Sequence, residues 1–335
     1  MAAVTSPTPR DGSPNPGAPP PPADALPASP PPRLAVGVSR CLLGDPVRYD
    51  GDHKRQPWLD ETLGAWCRLV PVCPEVEAGL GLPREPMRLE GPPDAPRLLT
   101  LHTRRDLTAP LLAWREQRLA QLANEGLRGF VLKSRSPSCG AAGVALHPDA
   151  EGASEPVGTG LFAQALRQRF PLLPLEEEER LRDPPWRENF VERLHVLDRW
   201  LALTTRDGSA AGLVGFHADH KFLIMAHGAP LMRALGRLAA RGGSPPLAEY
   251  GATLMAGLAA LPTLRAHVDV LRHLAGFLKN RLPPSDKAAL REGIEGYRQQ
   301  RLPRSVPLAL LHDALRRFPH PYLARQWYLR PPAEE

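Results

Sequence analysis

Residues 129–143 constrain the fold of this chain more than any other stretch. The apolar run Phe130–Leu132 predicts a buried strand, and a loop rich in serine, proline and glycine follows it directly. In an open α/β sheet, ligands bind at the loops beyond the carboxyl ends of the strands. We therefore expect this loop, which contains Lys133, Arg135 and Cys139, to be part of a binding site.

Two earlier predicted strands end in the same way. Leu34–Val38 precedes Cys41, and Leu69–Val72 precedes Cys73. The carboxyl ends of parallel strands lie along one edge of a sheet, so three thiols are expected to meet there. Three converging thiols favour a metal or cluster site.

The residues by themselves leave the type of metal open. Zinc takes four protein ligands in structural sites, and His53 is a candidate for the fourth. An iron–sulfur cluster held by three thiolates keeps one iron free to bind substrate as a Lewis acid. Cys67, on a predicted helix beside Trp66, is interpreted as a core residue.

The chain divides into a proline-rich tail and two predicted domains. Residues 1–32 contain 12 prolines and no apolar core, so we predict a disordered tail. Alternating strands and helices predict an α/β domain with a mostly parallel sheet over residues 33–174. Residues 175–216 are expected to be a linker and connecting helix, and the helical periodicity of residues 217–335 predicts an all-α domain.

Helical periodicity and breaker residues also place the individual elements. Further strands are predicted at Leu98–Leu101 and Gly143–His147. The predicted helices are Trp58–Trp66, Leu111–Glu125, Leu161–Phe170, Asn189–Thr204, Lys221–Arg241, Leu247–Leu261, His267–Leu282, Ser285–Gln300 and Pro307–Phe318.

Basic residues are concentrated in the predicted all-α domain. From His217 onward the chain contains 17 Lys and Arg against 9 Asp and Glu, whereas the preceding part contains 25 against 27. This excess of positive charge favours a polyanion such as RNA, and a solvated Arg-rich helical surface is the alternative. The predicted phosphate-binding residues are Arg265, Arg272, Lys279, Arg298, Arg301 and Arg304.

Composition also indicates the cellular setting. No apolar run approaches the ~18 residues that a membrane span needs. Four cysteines in 335 residues do not form a disulfide scaffold, so a reducing cytoplasm is expected.

Three ordered motifs resemble the thiouracil desulfidase (TudS-like) family. They are Cys41-Leu-Leu-Gly44 with Val47-Arg-Tyr-Asp-Gly51, then Pro71-Val-Cys-Pro-Glu75, then Lys133-Ser-Arg-Ser-Pro-Ser-Cys-Gly140. The resemblance covers Leu34–Phe170, with Ala78 in place of an expected glycine. The segments Phe216–Lys221 and Leu308–Leu329 resemble the YbgA-type domain of RNA 4-thiouridine desulfidases (RudS-like proteins).

The resemblance implies a [4Fe–4S] cluster held by Cys41, Cys73 and Cys139, whose open iron takes the sulfur of a thiolated uracil. It implies a cytoplasmic enzyme that converts 4-thiouridine in RNA, with tRNA as the expected partner, to uridine and sulfide. Two alternatives remain open: a desulfidase of free thiouracil or thionucleosides, and a non-catalytic metal- or cluster-containing protein that binds RNA or senses redox state.

The remaining candidates lie beside the thiols. Glu75 is the candidate general acid/base, with a surface carboxylate after a turn as the alternative. Ser136 and Ser138 are candidates to orient water or the base, although such hydroxyls also satisfy their own loop backbone. The candidates for substrate contact are Arg48, Lys54, Lys133 and Arg135 by charge and Tyr49 by stacking.

Overall fold

The computed structural model describes residues 33–330, so the predicted disorder of residues 1–32 lies outside the described residues. The strands are β1 (Leu34–Ser39), β2 (Cys67–Val72), β3 (Met87–Glu90), β4 (Arg97–Thr100), β5 (Leu127–Leu132), β6 (Val144–His147), β7 (Glu155–Gly158) and β8 (Leu175–Glu177).

The helices increase in number and length towards the C-terminal part. They are α1 (Gly64–Trp66), α2 (Pro74–Glu77), α3 (Thr108–Leu122), α4 (Leu161–Arg169), α5 (Pro184–Arg206), α6 (Ala210–Ala226), α7 (Ala229–Ala239), α8 (Leu247–Leu258), α9 (Leu264–Leu278), α10 (Pro284–Arg298), α11 (Ser305–Arg317) and α12 (Pro321–Ala324). A π-helix, Trp58–Leu63, precedes α1, and short 3-10 helices span Arg40–Leu43, Arg180–Arg182 and Trp327–Leu329.

The main sheet has the strand order β2-β1-β5-β8, and every pairing in it is parallel. Both faces are buried, as parallel sheets require. Phe130 and Leu132 pack against α3 and α4 on one face, whereas Val36 and Val131 pack against the π-helix and α5 on the other. The alternation along β5 therefore explains why Phe130–Leu132 is an uninterrupted apolar run.

A second, mixed sheet with the order β4-β3-β6-β7 lies beside the main one in the α/β region. Strand β3 pairs antiparallel with β4 and parallel with β6, while β6 and β7 are antiparallel. Leu89, Leu98 and Leu146 form its core together with Leu111 of α3.

Helix α5 joins the two cores. Its first half places Phe190 and Leu194 against the main sheet, and its second half places Leu197 and Trp200 in the helical core. Residues from Leu34 onward form one compact unit. The predicted α/β region followed by an all-α region is confirmed, and one continuous helix belongs to both.

Several elements differ from the sequence-based expectations. Leu175–Glu177, expected in a linker, is an edge strand of the main sheet. It was not predicted because its sequence is acidic and has no apolar run. The predicted helix Lys221–Arg241 is two helices, because Gly228 between them has a φ of +118°, outside the helical range. Cys67, expected on a helix, is the first residue of β2.

The packing of α5 on the sheet depends on Gly129 of β5. A Cβ atom there would lie 2.3 Å from Leu194 Cδ2 and 3.0 Å from Phe190 Cζ, and both side chains are buried. We expect Gly129→Ala to lower the free energy of unfolding by about 1–3 kcal/mol through overpacking.

Urea denaturation measures this effect, and Gly276→Ala is the matched control. A Cβ atom at Gly276 of α9 would meet open space, so this variant should be neutral or stabilised by up to about 1 kcal/mol. Equal stability of the two variants would contradict the close approach of α5 to the sheet.

Candidate functional site

The three predicted metal-binding thiols lie at one edge of the main sheet. Cys41 follows β1, Cys73 follows β2 and Cys139 lies on the loop after β5, and these three strands are neighbours. All three side chains line one cavity of about 420 Å³. They are 9%, 8% and 5% exposed, and no disulfide joins them.

Backbone interactions fix the segments that contain these thiols. The backbone N–H of Cys73 donates to Glu77 Oε1 at 2.8 Å, and that of Cys139 donates to Ser136 Oγ at 3.1 Å. Gly160 lets helix α4 begin against the cysteine loop, because a Cβ there would lie 2.5 Å from the Ser138 carbonyl. The cysteines are therefore presented by a constrained backbone.

The electrostatic environment disfavours free thiolates. Burial raises the pKa of the Cys41 thiol to about 12, and the neighbouring Cys73 adds to the effect. Burial also raises the pKa of Cys73 and, further, that of Cys139. Three adjacent buried sulfur donors fit a cationic metal cluster, which would supply the positive charge that thiolates need.

His53 and Cys67 lie outside this cavity. Among residues 33–330, no group of three or more His, Cys, Asp or Glu is arranged to hold one metal ion. His53, the candidate fourth zinc ligand, is exposed and does not line the cavity. Cys67 is buried at the start of β2, away from the cavity lining, in agreement with its interpretation as a core residue.

A carboxylate network lines the same cavity as the thiols. Glu75 Oε1 accepts a hydrogen bond of 2.6 Å from Ser138 Oγ, and Oε2 accepts one from Arg84. Ser136 Oγ lies 3.1 Å from Ser138 Oγ. The structure thus brings together the predicted acid/base residue and both predicted serines, and the carboxylate is oriented at both oxygens.

Arg84 was not found from the sequence. Its side chain is 5% exposed, and its guanidinium also donates to the carbonyl oxygens of Val47 and Gly81. It lies in an irregular segment punctuated by glycine and proline, where no periodicity indicates which way a side chain points. The folded loop therefore supplies a cation that the sequence pattern does not reveal.

Three of the cations predicted to contact substrate, Lys133, Arg135 and Arg48, already have acidic partners. The Lys133 ammonium pairs with Glu178, which also accepts from the backbone N–H of Ser134 at 2.7 Å. Arg135 pairs with Glu179 at 2.6 Å. Lys133 thus has a structural role in this loop, and Arg135 is held at the rim of the cavity.

Arg48, Tyr49 and Lys54 lie on the same cavity rim. Arg48 is 3.4 Å from Asp50 and stacks over the Tyr49 ring at 5.4 Å, and that ring is 41% exposed. Tyr49 is thus an exposed aromatic side chain beside the cavity.

Three of the six predicted phosphate-binding residues form ion pairs with acidic side chains. Arg272 and Arg298 share Glu295, and Arg304 pairs with Glu188. Within residues 33–330, the ones without an ion pair are Arg265, Lys279 and Arg301.

His217 and His220 belong to the helical core. His217 Nδ1 lies 3.0 Å from the Tyr250 hydroxyl, and the buried His220 accepts from Arg199 Nε at 3.0 Å. Burial lowers the pKa of His220 to about 3, so it stays neutral. Their sequence spacing therefore reflects packing.

Two family matches agree with this division of the chain. Residues 36–178 match the 2-thiouracil desulfurase family, and residues 221–332 match a family described as protein of unknown function (DUF1722). The α/β region thus belongs to the 2-thiouracil desulfurase family, an enzyme family of the desulfidase class, and it is joined to a DUF1722 domain.

Individual relatives match the α/β region. The chain is 28% identical to the uncharacterized protein YbbK of Bacillus subtilis (strain 168) over 140 residues, which cover 39% of this chain and 88% of YbbK. It is also similar to a solved [4Fe-4S]-dependent thiouracil desulfidase, TudS, at 36% identity and a TM-score of 0.38. That match covers 44% of this chain and 93% of TudS.

None of the helices within residues 33–330 combines the length and apolarity needed to span a membrane.

The raised thiol pKa values predict low reactivity in the metal-free, folded protein. At pH 8, a rise in pKa from 9 to about 12 reduces the thiolate fraction of Cys41 roughly a thousandfold. We expect Cys41 to be alkylated by iodoacetamide at least ~100-fold more slowly in the folded than in the urea-unfolded chain. Mass-spectrometric time courses measure this ratio, and equal rates would contradict the burial of the thiol.

Proposed function

We propose that this chain is a [4Fe–4S]-dependent desulfidase that converts 4-thiouridine in RNA, with tRNA as the expected RNA, to uridine and sulfide. The observation that carries the proposal is the convergence of Cys41, Cys73, Cys139 and the Glu75–Ser138 pair on one cavity. Membership of the 2-thiouracil desulfurase family supports the reaction class, and the name of TudS supports the type of cluster.

Cys41, Cys73 and Cys139 would hold the cluster. With three protein ligands, a bound [4Fe–4S] cluster offers one iron as a Lewis acid with affinity for the soft sulfur of the substrate. Tyr49 would bind the base, and Glu75, Ser138 and Ser136 would orient it and move protons.

Overall, water replaces the sulfur of a C=S group, giving a C=O group and hydrogen sulfide. Glu75 is placed to take a proton from the attacking water, because Ser138 and Arg84 fix the direction of its carboxylate. The Ser136 hydroxyl lies within hydrogen-bonding distance of the Ser138 hydroxyl and adds a further proton-carrying group to this network. The same carboxylate can then return the proton to the departing sulfide or to the ring.

The support for RNA as substrate comes from the helical region and the cavity rim. Exposed Tyr49 offers a stacking surface at the entrance. Arg265, Lys279 and Arg301, which form no ion pair within residues 33–330, can meet phosphates. The net charge of the helical region adds a long-range attraction for a polyanion.

Free thiouracil, or a thionucleoside, is the second candidate substrate. The cavity of about 420 Å³ has the size of a small-molecule site, and the family is named for thiouracil. Here the helical region would not contribute to turnover. Comparing kcat/KM for 4-thiouridine in tRNA and for free thiouracil distinguishes the two substrates.

The roles of Cys41, Cys73 and Cys139 as cluster ligands can be tested by substitution. After anaerobic reconstitution with iron and sulfide, we expect Cys41→Ala, Cys73→Ala and Cys139→Ala each to lose the brown chromophore, since a thiolate ligand is removed. Cys67→Ala is the matched control and should retain it, because Cys67 does not line the cavity. Absorbance and iron content measure the outcome. Loss of the chromophore in Cys67→Ala, or a zinc-only site, would contradict the assignment.

The second prediction concerns the base. Glu75→Gln removes the proton acceptor while keeping the shape of the side chain, so kcat should fall by about 10²–10⁴-fold with the cluster intact. The loss of thiouridine absorbance and the release of sulfide measure the rate.

Glu116→Gln on α3 is the control for this experiment. Its carboxylate is exposed and lies outside the cavity lining, so activity should stay unchanged. Full activity of Glu75→Gln would refute the role of this carboxylate. If the unmodified protein holds an intact cluster but turns over neither substrate, the proposed desulfidase activity is refuted.

A further inference from the structure

Helix α5 contains two arginines whose side chains are withdrawn from water, and they differ in their partners. Arg193 is 3% exposed and pairs with Glu176. Arg199 is half-buried on the same helix, and within residues 33–330 it forms no ion pair. A guanidinium withdrawn from water without a counterion costs free energy, so an external anion would stabilise Arg199.

The two carboxylates whose charge acts on Arg199 are engaged elsewhere. Glu192 Oε1 accepts from His227 Nε2 at 2.8 Å, and Asp198 pairs with Arg128 at 2.7 Å. Burial lowers the pKa of Arg199 to about 10 against the attraction of these two carboxylates, so the guanidinium stays charged at neutral pH. The positive charge is therefore present but has no close counterion in the described part of the chain.

The guanidinium of Arg199 is fixed in place, yet most of its hydrogen-bond donors are unused. Its Nε donates to Nε2 of the neutral His220 at 3.0 Å, and its central carbon lies 3.9 Å from the centre of the Trp327 ring. Among the residues that the structure describes, its two terminal nitrogens have no hydrogen-bond partner, and neither is fully buried. Each carries two N–H groups, so a ligand at the surface can reach four donors.

Arg199 lines a small cavity of about 20 Å³ together with Arg304 and Arg330. Arg304 is already in an ion pair. Arg330 is exposed, lies 5.5 Å from the centre of the same Trp327 ring and, within the described range, has no acidic partner. The acidic side chain of this lining is Glu192, so three guanidinium groups meet one carboxylate. The cavity therefore has a net positive lining.

The charge and the size of this cavity together indicate its ligand. A positive lining with unused N–H donors favours an oxyanion, and arginines are suited to the oxygens of phosphate. About 20 Å³ holds one water-sized group, so a single oxygen atom can enter while the rest of the anion stays outside. A phosphodiester of a large partner meets this description, because its charged oxygens project from an exposed backbone.

We propose that Arg199 and Arg330 bind a phosphate oxygen at this cavity, and that the phosphate belongs to the backbone of the RNA partner. The Trp327 ring contacts both guanidinium groups, which places the two cations beside one side chain. This inference rests on the RNA substrate of the proposed function. It adds two residues that the sequence pattern did not indicate as phosphate contacts.

Binding is measured without turnover, so that failure of this inference is distinct from failure of the desulfidase activity. The probe is a tRNA transcript without thiouridine, titrated into the full chain with its cluster reconstituted, at several salt concentrations. Each phosphate contact contributes about 0.7–0.9 to the steepness of log K against log salt concentration. A lost phosphate contact changes this slope, whereas a purely structural role of the arginine would not.

We expect Arg330→Ala to weaken tRNA binding roughly five- to tenfold and to reduce the slope by about 0.7–0.9, since one phosphate contact is lost. Arg199→Gln should have at least as strong an effect on both quantities. Because Arg330 is exposed, Arg330→Ala decides the test even if Arg199→Gln lowers the stability of the fold.

Arg233→Ala on α7 is the matched control. This arginine is also exposed and forms no ion pair within residues 33–330, but it lies outside the lining of the cavity. The variant loses the same charge, so its affinity and slope should stay close to those of the unmodified protein. The proposal is overturned if Arg233→Ala weakens tRNA binding as much as Arg330→Ala does.

A free phosphate ion offers the same oxygens, and calorimetry with inorganic phosphate tests this second source. If phosphate binds the unmodified protein but neither variant, while tRNA affinity is equal in all of them, the phosphate site is supported and RNA as its source is overturned. If neither tRNA binding nor phosphate binding changes in Arg330→Ala and Arg199→Gln, the whole proposal is overturned.

Discussion

Buried Glu178 holds together the loop on which the candidate active site depends. Its carboxylate accepts hydrogen bonds from the Ser134 hydroxyl at 2.8 Å and from the Ser134 backbone N–H at 2.7 Å. The same carboxylate forms an ion pair with Lys133. A buried carboxylate is tolerated only when such partners compensate its desolvation. The loop is therefore fixed where it leaves β5, and Ser136, Ser138 and Cys139 follow within five residues of that point.

The acidic run of which Glu178 is a member connects the site to the rest of the fold. Glu176 is buried beside Arg193 of α5, Glu177 accepts from the Ala141 N–H at 2.7 Å, and Glu179 pairs with Arg135. Consecutive side chains of a strand point in opposite directions, so one short strand reaches both α5 and the cysteine loop. The edge strand β8 thus links the thiol cavity to the helix that enters the helical core.

The two family regions are separate along the sequence, but helix α5 packs in the cores of both. The first family match ends at residue 178 and the second begins at residue 221, and α5 lies between them. Its residues fill both the α/β core and the helical core. One continuous helix common to both regions therefore fixes the helical core relative to the α/β core.

The sequence alone determined the strands that precede the thiols and the meeting of Cys41, Cys73 and Cys139. Apolar runs followed by loops rich in glycine, proline and serine are local patterns, and parallel strands place their carboxyl ends along one edge. Only the tertiary structure decided which charges remain available: Lys133 and Arg304 pair with carboxylates 45 and 116 residues away, and Arg84 reaches Glu75 from an irregular loop. A charged residue has the same sequence pattern whether it is solvated or paired, so its partner is fixed by the fold. For the same reason the acidic strand β8 was not recognised, since its partners come from β5, α5 and the cysteine loop.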